Sequence, residues 1–305
     1  TSSTCGPCKP GNDNYHSIVN PKPASEFVSI KYQQDFPGSG DPYCTTEAVN
    51  RRTTPYAINS IPRMEIDGGW DANASSFTNA LYDAARAIPA QYKMSGFYDI
   101  NNMTISARVR FSPLFNATGA KLYVAILENK TVANVKSNGE TEFLSVMKKM
   151  LPTETGSSLP VVAIGSWDSL SFSYTFKGNY RLPIDGQAAN RINHNTEHSV
   201  EDFYNTKVVA WIQAADKSVY QAVNLTSLVP AGTSTFDASF EQAEVFPNPA
   251  TNQFNVRLNL KHSDEIFATL IDIQGKVIST LSKNARLASK HSIGIPLTCQ
   301  MVSII

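Results

Sequence analysis

The feature that most constrains this chain is Thr4-Cys5-Gly6-Pro7-Cys8-Lys9, two cysteines separated by Gly-Pro close to the first residue. If Cys8 opens a helix, Cys5 sits at its N-terminus. There the unpaired backbone N–H groups and the helix dipole stabilise a thiolate. A thiolate formed at neutral pH is the attacking species in disulfide exchange, and a second cysteine this near resolves the mixed disulfide. The residues that follow, Pro10-Gly11-Asn12-Asp13-Asn14, are poor helix formers. They weaken the dipole where a thiolate needs it, so a second reading stands beside the first: a stable bridge that only staples a loop. A zinc site on this pair lacks the further Cys or His ligands that zinc requires.

The chain has 305 residues, enough for two or three domains with a core in each. Its 26 basic and 26 acidic residues give no overall field to draw nucleic acid or an anionic surface. No basic cluster, phosphate loop, Ser-His-Asp set or cofactor-binding signature is readable, so the expectation is no cofactor and no nucleic-acid partner. No run approaches the roughly 18 apolar residues of a membrane span. Thr1-Ser2-Ser3 is not a signal peptide and reads as a mature or trimmed start. Only four cysteines occur, so this is not a disulfide-stapled scaffold. Cys44, in a turn-rich stretch, is a free buried thiol, a third redox player or a partner to another cysteine. Cys299 has no readable role.

Residues 1 to about 94 alternate strand and helix signals. Glu26–Tyr32 reads as a strand by period-2 spacing, and Thr45–Arg52 as a helix with Thr near its start. Met64–Gly68 reads as a strand and turn. Ser75–Ile88 reads as a helix with Phe77, Leu81, Ala84, Ala85 and Ile88 on one stripe, stopped by Pro89. From about 95 to 229 the pattern becomes short strands: Met103–Phe111, Lys121–Leu127, Ser171–Phe176, and a hairpin of Lys207–Gln213 with Val219–Val223. Glu142–Met150 reads as one short helix among them. Residues 230–242 read as a Ser/Thr/Gly-rich linker. Residues 243–305 read as a small β unit with a hairpin around Asp272-Ile273-Gln274-Gly275.

Tyr56–Gly69, with Ile61-Pro62 at its centre, resembles the thioredoxin segment in which a cis-proline precedes a strand. The resemblance implies that Pro62 is that proline and that Ile61 faces the cysteine pair and a bound peptide. A thioredoxin-like domain also needs a central strand before the pair, and only four residues precede Cys5, so residues 1–94 are expected to lack that strand. Tyr123–Glu128, Met150-Leu151-Pro152 with Gly156, and Val208–Gln213 are similar to a thioredoxin-like outer-membrane protein family of Bacteroidetes. That family joins such a module to an Ig-like β-sandwich, here residues 95–229. Val245–Thr251 and Leu270–Val277 resemble the C-terminal sorting domain of type IX secretion, although the usual closing strands are replaced by Leu297–Ile305.

The expected fold is thus α/β plus all-β: a thioredoxin-like domain, an Ig-like sandwich and a small sorting domain. The resemblance implies an exported protein, at the outer membrane or cell surface or secreted, whose partners are the type IX secretion machinery, protein thiols or disulfides, and other surface proteins. In the redox reading Cys5 attacks, Cys8 resolves and Pro62 faces the peptide; the alternative is a non-enzymatic surface protein. Minor signals are the pair His194/His198, four residues apart, and the tryptophans Trp70, Trp167 and Trp211. On a helix the histidines would share a metal. Of the tryptophans, Trp211 reads as core and Trp70 as a partly exposed platform for a sugar.

Overall fold

The computed structural model describes residues 1–116, 119–181 and 187–228, and the backbone of five later strands. The chain divides into two compact units, 1–227 and 228–305, so the segments 1–94 and 95–227 lie in one unit.

Three helices lie in the first part of that unit. Helix α1 (Cys8–Val19) begins immediately after Pro7. Its weak formers do not prevent it. Pro10 sits in the first turn, where no amide donor is needed. Gly11 is where the helix backbone comes close to Pro62 and Ala74: a Cβ there would stand 3.2 Å from the Ala74 methyl. Asn12 donates to Glu140 at 2.8 Å, and Asn14 to the Ala74 and Phe77 carbonyls at 2.9 and 3.0 Å. Tertiary partners therefore replace the propensity these residues lack. Helix α2 (Thr46–Thr53) is capped by Thr45, whose hydroxyl accepts from the Ala48 N–H at 3.1 Å. Strands β1 (Met64–Ile66) and β2 (Trp70–Ala72) form a tight hairpin, and α3 (Asn79–Arg86) follows with Thr78 as its cap. The expected helix stripe is corrected here. Residues 74–76 form a separate 3₁₀ turn, Phe77 packs from outside the helix, and Tyr82 rather than Ala84 or Ile88 is buried. The helix is shorter than its apolar pattern because Thr78 captures its first turn.

The rest of the unit is β. The strands are β3 (Tyr92–Asn101), β4 (Thr104–Pro113), β5 (Lys121–Thr131), β6 (Phe143–Leu151), β7 (Ser157–Ser158) and β8 (Asp168–Thr175). They continue with β9 (Asn179–Tyr180), β10 (Glu197–His198), β11 (Thr206–Gln213), β12 (Val219–Asn224) and β13 (Thr226–Ser227). One sheet runs β12-β11-β5-β6, with β7 also paired to β5; a second runs β13-β3-β4-β8, and β9 and β10 pair in parallel by themselves. Residues 142–150 are thus not a helix. Phe143–Leu151 is buried almost throughout and pairs antiparallel with β5. Its two lysines, Lys148 and Lys149, are buried and paired with Glu128 and Glu47. The long strand β3 was not anticipated, because Gly96 and Asp99 blur its alternation.

The first sheet is covered on both faces, which accounts for the unbroken apolar runs in β5 and β11. Ala125, Leu127, Val209 and Trp211 pack with Ala48 of α2 and with Val28, Ile30 and Tyr32. The alternate residues Leu122, Val124, Ile126, Val208 and Ile212 are equally buried and take the opposite face. Glu26–Tyr32, expected as a strand, begins in the 3₁₀ turn Ala24–Glu26 and joins the sheet only through Lys31. Its N–H donates to Ser145 at 2.8 Å, and its carbonyl accepts from Met147 at 3.0 Å.

The second unit holds β14 (Phe240–Phe246), β15 (Gln253–Leu260), β16 (Asp264–Ile271), β17 (Val277–Leu287) and β18 (His291–Pro296). They form a β14-β15-β18 sheet and a β16-β17 hairpin. Of the expected linker 230–242, residues 240–242 instead open strand β14; its remainder, the Asp272–Gly275 turn, Cys299 and the C-terminal stretch 297–305 lie outside the described residues.

Candidate functional site

Cys5 and Cys8 form a disulfide, with Cα atoms 5.3 Å apart and Cys8 as the first residue of α1. The bridge is closed off: Cys5 is 1% exposed and Cys8 fully buried, while Gly6 and Pro7 between them face solvent. Distant residues bury it by fixing the segment before Cys5. Asp41, itself wholly buried, accepts from the Ser3 N–H at 3.1 Å and the Tyr43 N–H at 2.8 Å, and from the Asn134 amide. Asn138 donates to the Ser2 carbonyl at 3.1 Å and its backbone N–H to Ser3 at 3.0 Å. The Thr4 hydroxyl donates to the Pro37 carbonyl at 2.7 Å. Burial pushes the Asp41 carboxyl above its ordinary range, while the donors around it pull the other way. In the sequence Asp41 reads only as a turn residue, so its part in holding the strap was missed.

The Ile61–Pro62 peptide is cis, and Pro62 lies against α1 at Gly11, one turn after Cys8. Ile61 lines a cavity of about 280 Å³ between the helical part and the first sheet. The cysteines are not in its wall. Val28, Ile30, Met64 and Trp211 supply apolar surface, and Lys31, Arg51 and Arg52 supply charge. Thr1 sits at one end, its N–H donating to Tyr32 at 3.3 Å and its carbonyl accepting from Gln34 at 2.9 Å. On the hairpin wall Glu65 faces Asp71 across the β1–β2 pair. Burial and the bond to Asp71 push Glu65 up to about 7, while the Arg63 guanidinium holds Asp71 below its ordinary value.

The remaining candidates resolve into packing. Cys44 is a free thiol, buried with Val49 and Ala188 and pushed up to about 12 by burial; a thiol so placed is inert. His194 and His198 are not on a helix. His194 Nε2 lies 3.1 Å from the Lys148 carbonyl, and since that oxygen accepts, Nε2 carries the proton. His198 packs among Phe176, Tyr180 and Phe203. Trp211 is core, stacked on Tyr123 at 5.3 Å; Trp70 is half-buried, with its ring against Phe77.

Residues 244–297 match the family described as the secretion system C-terminal sorting domain. Among curated proteins none matches the chain. Among solved structures, HBP35 of Porphyromonas gingivalis is similar, with a TM-score of 0.51 at 12% identity over 97% of this chain and 96% of that one. At that identity the likeness is one of fold. The sorting domain carries the functional consequence: this is an exported protein, delivered through its C-terminal domain by the secretion machinery to the outer-membrane surface or released.

Proposed function

We propose that the exported protein carries a thioredoxin-like module (residues 1–94) on an Ig-like β-sandwich (95–229), and that its Cys5–Cys8 pair exchanges disulfides with other exported proteins. The observation that carries this reading is the placement of Cys8 at the start of α1 with Pro62 packed on the same helix at Gly11. In the oxidised state a partner's thiolate attacks Cys5 Sγ. The new bond is the mixed disulfide, the Cys5–Cys8 bond breaks, and Cys8 leaves as a thiolate stabilised by the helix N-terminus. A second thiolate on the partner then attacks the sulfur joined to Cys5, the partner leaves as a disulfide, and two electrons remain on the Cys5–Cys8 dithiol. Pro62 and Ile61 would face the bound peptide.

A second reading is favoured by burial. With Cys5 1% exposed, a thiolate reaches it only when the strap of residues 1–4 opens, and a bridge that never opens is a staple in a surface-binding protein. The Cys8→Ser variant separates the two. Incubated with glutathione disulfide, an exchange-competent Cys5 accumulates a mixed disulfide while buried Cys44 does not. A Cys5 that stays unmodified under native conditions removes the exchange reading.

A further inference from the structure

The second sheet carries a surface that the exchange reading does not use. Between β7 and β8 the chain runs Leu159-Pro160-Val161-Val162-Ala163-Ile164-Gly165-Ser166-Trp167, without a charged residue. The Gly165 N–H donates to the Pro113 carbonyl at 2.9 Å, which pins this loop beside Leu114 at the end of β4. Val161 is fully exposed, Ile164 54%, Trp167 45% and Leu114 42%. These are four of the eight large apolar side chains most exposed among the described residues, gathered at one place. Scattered exposed apolar residues need no explanation, but a set gathered on one loop and its neighbour does.

Cations flank the loop. By register, Lys93, Arg110 and Arg108 lie on the outward face of β3 and β4, opposite Ser112, Ser95 and Phe97. The Arg110 guanidinium stands 5.1 Å over the Trp167 ring, and Arg108 donates to the Ser169 hydroxyl at 3.0 Å. On the acidic side, Asp99 lies farther along the same face, and the Asp168 carboxylate accepts the Ser169 N–H at 2.7 Å. An apolar tip bearing a tryptophan, rimmed by cations, has the chemistry of an interfacial membrane anchor: the ring seats at headgroup depth and the cations meet lipid phosphates. The loop offers almost no side-chain hydrogen-bonding group, which fits a bilayer better than a polar protein surface.

We propose that the loop 159–167 docks this unit on an anionic lipid surface, with Val161, Ile164 and Trp167 entering the headgroup region and Lys93, Arg108 and Arg110 on the phosphates. The test is co-sedimentation of the full chain with vesicles of phosphatidylcholine mixed with phosphatidylglycerol, against phosphatidylcholine alone. Three cations near the surface give a preference for the anionic vesicles of about a hundredfold at low salt, falling as salt is added. Trp167 emission shifts to the blue on binding, and Trp167→Phe removes that change. Val161→Asp and Ile164→Asp lower binding about tenfold or more while the unfolding transition stays where it was. Absence of vesicle binding, or binding unchanged in both Asp variants, overturns the proposal. So does a concentration-dependent dimer in sedimentation velocity that these variants abolish without any lipid binding, which would make a second copy the occupant.

Discussion

The buried lysine of β6 allows a worked prediction. Lys148 and Glu128 are both without solvent exposure, with Nζ 3.1 Å from the carboxylate. The ammonium also donates to the Ser199 carbonyl at 2.7 Å and stands 3.7 Å over the Tyr43 ring. Glu128 in turn accepts from the Glu201 and Asp202 N–H groups at 3.1 and 2.7 Å. Lys148→Met keeps most of the stem's volume and removes only the charge. Glu128 is then a buried carboxylate with no counter-charge, and the Ser199 carbonyl loses its donor. Breaking such a pair from one side costs about 3–5 kcal/mol. Replacing both partners, Lys148→Met with Glu128→Gln, leaves no orphaned charge and recovers most of that loss. Burial already pushes the Glu128 carboxyl up, so in the single variant it escapes by taking a proton, and the cost grows as pH rises. The three tryptophans, Trp70, Trp167 and Trp211, all belong to the first unit, so urea unfolding followed by tryptophan emission reads that unit alone. A loss below about 1 kcal/mol, or a double variant no more stable than the single one, refutes the reasoning.

Burial and the Lys149 ammonium hold His194 down to about 4, below the 6.5 it has when unfolded. Between those values the unfolded chain binds more protons, so stability falls as pH drops from about 6.5 toward 4, by at most about 3 kcal/mol. Unfolding free energies across that range should show a shallower slope in His194→Gln, and an unchanged slope contradicts the assignment. Gly68 has φ of +74°, and a Cβ there would stand 1.9 Å from the Lys217 carbonyl oxygen. Gly68→Ala should cost about 2–4 kcal/mol by lifting the β1–β2 turn off Val219, whose N–H donates to Asp67 at 3.0 Å; a wild-type urea midpoint would show the fit is looser than this. Asp41→Ala releases the Ser3 strap, and reduction of the Cys5–Cys8 bridge by dithiothreitol should quicken about tenfold. An unchanged reduction rate would mean that Asp41 does not control access.

How much of this was legible depended on how local each cause is. The hairpin of β11 and β12 was readable because alternation and a five-residue turn set it locally, and the α2 start because its cap is Thr45. Phe143–Leu151 is a strand where a helix was expected over Glu142–Met150. The partners that make it a strand, Glu47, Glu128 and β5, lie far off in sequence. Glu26–Tyr32 carries strand spacing but joins the sheet only at Lys31. The helix after Cys8 looked weak because the groups that support it, Ala74, Phe77 and Glu140, are 60 to 128 residues away. The cysteine chemistry is written in six consecutive residues. Access to it is not, because Asp41 and Asn138 close the strap from 38 and 136 residues away.

The central claim, that Cys5 and Cys8 are an exchange pair, is tested most directly by a redox titration of that pair. It is read by thiol alkylation and mass spectrometry, with Cys5→Ser as control. A potential between about −270 and −120 mV, in the range of exchange catalysts, is the expected result. A pair that stays oxidised below about −300 mV contradicts the claim and leaves a structural bridge in a surface-binding protein.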